Sequence, residues 1–158
     1  MNNQKLLDKI QSTWEAFLAS FAGLSPEQME QSGAVGEWSV RDILGHVTTW
    51  EEESLQALPV IARGEKAASY KQLYGGIDAF NYQMTERKRA LALDEVLRQL
   101  EETHRRLVEY IGASPEEQFN SKSRCRRRLG WDSFKHYPHH EQAIRAWRGQ
   151  QGIQEAVE

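Results

Sequence analysis

An all-α fold, a four-helix bundle formed by a single domain, is what this sequence predicts, and two observations carry the prediction. Apolar residues recur at steps of three and four in four separate segments, and no segment alternates apolar with polar residues as a half-buried strand does. A chain of 158 residues is long enough to bury one sizeable core. The bundle is therefore expected over residues 1–150, followed by a polar, frayed tail over residues 151–158.

The first helix is read from Leu6, Leu7, Ile10, Trp14, Phe17, Leu18 and Phe21, which share one stripe while Lys5, Asp8, Lys9 and Glu15 lie outside it. Ser25-Pro26 with Gln28 three residues after the serine marks a capped helical turn, and the two glycines between Gln31 and Glu37 mark a loop. Ser39 with Asp42 repeats the capping pattern and opens a second helix, whose stripe is Val40, Ile43, Leu44, Val47 and Trp50. This helix is expected to reach Ala62, with Pro59 bending its end and Arg63-Gly64 closing it. Residues 64–76 lack periodicity and predict a crossover longer than the usual ~2–8 residues between neighbouring helices. A third helical region runs from Ile77, bends near Ala92, and continues through Val96, Leu97, Leu100, His104, Leu107 and Ile111 until Gly112 ends it. Residues 122–128 read as an exposed basic loop. The last helix is expected from Trp131–Ser133 to Arg148, with Phe134, His136, His140, Ala143, Ile144 and Trp147 facing inward.

Composition excludes several function classes. Lys and Arg number 20 against 23 Asp and Glu, a net charge of −3 that argues against a dedicated nucleic-acid binder. The basic run Lys122–Arg128 therefore reads as a solvated loop balanced by acidic helices sooner than as a phosphate site. No apolar run approaches the ~20 residues of a membrane span, and the N-terminus has no apolar signal segment. Cys125, the single cysteine, makes no internal disulfide, so a cytoplasmic location is expected. Set among arginines, Cys125 lacks a placed base and is a poor nucleophile candidate.

The histidines carry the chemistry. His136 and His140 stand four residues apart, which puts both imidazoles on one helix face, the face of Ala143 and Trp147. Such a pair can close on one metal ion, and His46, one turn before Trp50, can supply a third imidazole from across the bundle. Three histidines leave coordination positions for water or substrate. The competing reading is a set of hydrogen-bonded core histidines. Asn81, Trp50 and His104 are the candidates for supporting or substrate-binding residues, with His104 also readable as a plain core histidine. His139 is turned away from His136, and Glu53 is more naturally part of the solvated Glu51-Glu52-Glu53 run than a ligand. Trp38 and Trp131 flank helix starts and are expected to pack there as staples.

The stretch Trp38-Ser39-Val40-Arg41-Asp42-Ile43-Leu44-Gly45-His46-Val47 resembles the helix-two motif of DinB-like proteins, roughly W-S-v-x-D-x-l-x-H-l. His136-Tyr137-Pro138-His139-His140 with Ile144-Arg145-Ala146-Trp147 resembles that family's last helix. Together with Phe80-Asn81 these segments are most similar to the ClbS/DfsB-type branch. The resemblance implies a bundle with a parallel crossover between helices two and three. It also implies a divalent metal, zinc or nickel, held by residues that map onto His46, His136 and His140. Similar proteins act on a small-molecule substrate as hydrolases, isomerases or transferases of a low-molecular-weight thiol. The ClbS-like branch is linked to self-resistance by opening a reactive cyclopropane in a genotoxin, and homodimers are common. These implications predict a metal-dependent hydrolase or thiol transferase with a detoxification or resistance role; the alternative is a metal-independent binding or sequestering protein of the same fold. Pro138, between the mapped ligands, departs from a regular helix and threatens their alignment unless His136 lies in the first turn.

Overall fold

A computed structural model describes residues 3–155. Four long helices form the bundle: α1 (Gln4–Phe21), α3 (Val40–Ala62), α6 (Leu93–Ala113) and α8 (His136–Gln150). Helix α3 packs against α6 and α8, and α1 against the same two. The shorter helices are α2 (Pro26–Glu30), α4 (Tyr70–Tyr74), α5 (Ile77–Lys88) and α7 (Arg124–Asp132), with a 3₁₀ turn at Glu116–Phe119. The core is where the predicted stripes meet: Ile10 and Phe17 of α1, Ile43, Leu44 and Val47 of α3, Leu107 and Ile111 of α6, and Ile144 of α8 are all fully buried.

Both capping boxes form. The Ser25 hydroxyl accepts from the Gln28 amide while the Gln28 side chain returns to the Ser25 amide, and Ser39 and Asp42 do the same at 3.1 Å in each direction. Helix α3 carries Pro59 inside its last turn and is closed by Gly64 at φ +84°, a left-handed conformation that glycine adopts at little cost.

Six expectations are corrected. The crossover contains a helical turn, α4, because Ser69 caps it by accepting from the Gln72 amide. The third helical region is two helices, broken over residues 89–92, and α6 passes through Gly112 to Ala113. Arg41 on α3 stabilises the break by donating to the carbonyls of Lys88, Arg89 and Leu91. The basic stretch is helical from Arg124, capped by Ser123, and α8 is a separate helix starting at His136. Trp131 lies at the end of α7 with 61% of its surface exposed, so it is no staple.

As far as it is described, the tail is joined to the bundle through Arg148. Arg148, 2% exposed, donates to the carbonyls of Ser20 and Ala22 at the end of α1 and to that of Gln154. This one buried guanidinium fastens residues 151–155 against α1. Residues 156–158 of the expected tail lie outside the described residues.

Candidate metal centre and adjoining pocket

His46 projects from the second turn of α3, and His136 and His140 from the first turns of α8. Helix α8 starts at His136, so Pro138 is its third residue. The missing N–H falls where a helix amide has no partner anyway, while the amides of His136 and Tyr137 donate to the Ser133 carbonyl at 2.8 and 2.9 Å. The i,i+4 pair keeps its alignment for this reason.

The three rings converge through the same atom. Nε2 of His136 lies 3.0 Å from Nε2 of His46 and 2.9 Å from Nε2 of His140. His46 and His140 are buried and His136 is half-buried. An imidazole nitrogen presents one in-plane position, filled either by a proton or by a lone pair. His136 Nε2 therefore cannot serve both neighbours as a hydrogen-bond partner, and a cluster of neutral imidazoles leaves one nitrogen unmatched. Three lone pairs converging on one cation leave none unmatched, so the donor set fits a divalent metal ion.

The electrostatics suit the same role. Burial, followed by the charge on His136, pushes His46 down to about 3. Burial and then His139 bring His136 to about 4, and burial with His136 and His46 brings His140 to about 2. All three are thus neutral near neutral pH, the form that binds metal. The outer contacts are sparse: Nδ1 of His140 is buried with no hydrogen-bond partner among the described residues, and Nδ1 of His136 makes no bond of normal geometry, although the Asp132 backbone acts on that ring and raises its pKa. Metal-ligating histidines usually donate that second N–H, and losing the acceptor typically costs ~10–100-fold in affinity.

Beside the triad a cavity of about 470 Å³ opens between α3, α4, α5 and α7, within the usual ~300–1,000 Å³ of small-molecule sites. His46 and His136 form its floor, and Trp50, Tyr70, Ile77 and Trp131 form apolar walls. Asn81 accepts from the Trp50 indole N–H at 2.9 Å, so two of the three predicted supporting residues meet at this wall. The third does not. His104 stacks on Trp14 with ring centroids 3.7 Å apart and pairs with Glu51 at 2.7 Å, inside the core. His139 is exposed, and Glu53 accepts from the Tyr70 hydroxyl instead of turning to the triad.

Two pocket residues escaped sequence reasoning. Asp132 is 4% exposed and accepts at Oδ2 from Ser54 Oγ and Arg128 Nε, both at 2.6 Å. Arg128 also donates from Nη2 to the Tyr70 hydroxyl at 2.6 Å. The i,i+4 spacing of Arg128 and Asp132 is the signal that was available. The rest of the basic stretch is partly engaged as well: Arg124 and Arg126 donate to the carbonyls of Glu65 and Phe119, and Cys125 is buried with its thiol pushed up by burial.

Residues 9–143 match the sequence profile of the DinB superfamily. No curated protein matches the chain. Among solved structures, "Sibling Lethal Factor Precursor - DfsB" superposes with a TM-score of 0.76 at 16% identity, covering 99% of each chain. An uncharacterised protein from Escherichia coli UTI89 superposes with a TM-score of 0.78, also at 16% identity, covering 97% of this chain and 96% of that one. At such identity the likeness is one of fold, and the fold is the DfsB-type bundle that the sequence motifs resemble.

Proposed function

The chain belongs to the DinB superfamily, and from that premise we propose that it is an enzyme using a divalent cation, zinc or nickel, held by His46, His136 and His140. The proposed activity is that of a hydrolase or low-molecular-weight thiol transferase acting on a small electrophile, in a detoxification or resistance role. The observation that carries it is the convergence of three neutral imidazole Nε2 atoms, two of them on rings that line an apolar cavity. A bound cation supplies Lewis acidity there and lowers the pKa of a water or thiol. The chain's own residues do the rest. The buried Trp50 ring shields one side of the site from water, and Asn81 fixes that ring in place.

The test is metal content. The chain is purified without a histidine tag, offered zinc or nickel, desalted, and measured by plasma mass spectrometry beside a His140→Ala variant whose helicity is checked by circular dichroism. About one cation per chain, lost in the variant, is expected. Because the outer contacts of the triad are sparse, a competing chelator is expected to strip the ion readily. No metal in the wild type, or full retention in the variant, overturns the proposal.

A further inference from the structure

The polar groups of the cavity are unevenly used, and the imbalance points to the chemistry of its occupant. Arg128 is 13% exposed and held in place on several sides: Nε on Asp132, Nη2 on Tyr70, and the guanidinium 5.9 and 5.6 Å from the ring centroids of Trp50 and Tyr70. Both N–H groups of Nη1 are left without an acceptor among the described residues. Asn81 is oriented by Trp50, because an indole nitrogen only donates and so faces the amide oxygen. Its NH₂ group is likewise left without an acceptor. Of the acceptors on the same wall, Asp132 Oδ2 is taken by Ser54 and Arg128 and the Tyr70 oxygen by Arg128, while Asp132 Oδ1 receives no hydrogen bond among the described residues. Away from the triad, and apart from Asp132 Oδ1, the groups free to meet an occupant are donors, on Arg128 and Asn81. At its mouth Ile77 and Trp131 leave 55% and 61% of their surface exposed, apolar area that an occupant would cover.

We infer that the occupant is a small carboxylate with an apolar, aromatic-sized body, its anionic end on Arg128 and Asn81 and its body against Trp131 and Ile77. Arg128 is the specificity-determining residue. Asp132 and Tyr70 hold the guanidinium in place, so little ordering is required when its Nη1 meets a carboxylate oxygen. This inference rests on reading the cavity as the substrate pocket of the proposed enzyme, but it does not require the cation.

The test uses chelator-treated protein, so failure of the metal proposal leaves it standing. The full chain is titrated calorimetrically with 2-naphthylacetate and with its neutral counterpart 2-naphthylacetamide. The carboxylate is expected to bind at least about ten-fold more tightly, the scale of a hydrogen bond to a charged group. Equal binding, preference for the amide, or no binding of the carboxylate at ~10 mM overturns the inference, and this comparison needs no variant. Two variants then locate the site. Replacing the buried pair together, Arg128→Gln with Asp132→Asn, avoids stranding one charge and is expected to abolish the preference; a folded double variant that keeps it overturns the role of Arg128. Trp131→Ala, at an exposed position, is expected to weaken both ligands alike, and unchanged affinity overturns the placement of the apolar body.

Discussion

Glu51, Glu52 and Glu53 are consecutive and chemically identical, yet their surroundings have little in common. Glu52 pairs with Lys88 at the surface, and Glu53 accepts from Tyr70 beside the cavity. Glu51 is fully buried at the centre of the bundle, where Oε2 accepts from the Tyr137 hydroxyl and meets His104 Nδ1 while Oε1 has no partner among the described residues. Burial raises its pKa above the ordinary value, the hydrogen bonds from His104 and Tyr137 opposing it. The folded chain thus holds the Glu51 proton to higher pH than the unfolded chain does. The stabilisation from this proton is complete below the unfolded value and is lost as pH rises through the folded one. Urea unfolding of wild type and Glu51→Gln at about pH 4, 6 and 8 is expected to show the variant gaining relative stability as pH rises, by at most about 1.4 kcal/mol per pH unit for one proton. Stability curves that stay parallel across this range contradict the assignment. The sequence conceals this residue because successive helical side chains point about 100° apart. A run of three carboxylates reads as one solvated patch, and only tertiary packing reveals which of them turns inward.

At the scale of elements, legibility followed the strength of local signals. Helices α2 and α3 begin where a serine and its partner three residues on predict, because a capping box is a local interaction. Helix α7 was hidden because Cys125 and Leu129 are the only apolar residues in its first turns and four arginines outweigh them, although Ser123 is a sound cap. Arg128 turns its head inward to Asp132 and Tyr70, a pattern that hydropathy alone misses. The α7–α8 junction depends on close approach. A Cβ added at Gly130 would stand 2.9 Å from the buried Phe134 ring, and the Gly130 carbonyl accepts from the Lys135 amide. Gly130→Ala should therefore destabilise the chain by about 1–3 kcal/mol, as overpacking typically does, despite alanine's better helix propensity. Chemical denaturation measures this directly, and a variant more stable than wild type would show that Phe134 yields without cost. Because this junction sets the start of α8, the same substitution is expected to loosen the His136 side of the triad.

Across the whole molecule, the triad is a tertiary fact assembled from two local ones. The spacing of His136 and His140 puts them on one face, and the stripe of α3 turns His46 toward the bundle. Their meeting through Nε2 depends on α3 packing against α8, on the hydrogen-bonded start of α8, and on the Arg148 clasp that ties α8 to α1. The cavity beside it was less legible, since Arg128 and Asp132 lay in a stretch read as a loop. The triad is also a liability when no cation is bound. It places three polar rings in the interior with one Nε2 unmatched and two Nδ1 atoms unpaired, and an unsatisfied buried group costs about 1–3 kcal/mol. Replacing one ring by an apolar side chain should then separate stability from function. In His140→Leu the 5%-exposed imidazole becomes a similarly buried aliphatic group, removing one orphaned Nδ1 and the crowding at His136. Calorimetry of chelator-treated protein is expected to show the variant melting above wild type, about 2–4 °C for each 1 kcal/mol recovered. After incubation with zinc or nickel the order should reverse, because ligand binding stabilises only the chain that retains the three-histidine site. A variant that melts below wild type even without metal would mean that the imidazoles satisfy one another in the folded bundle.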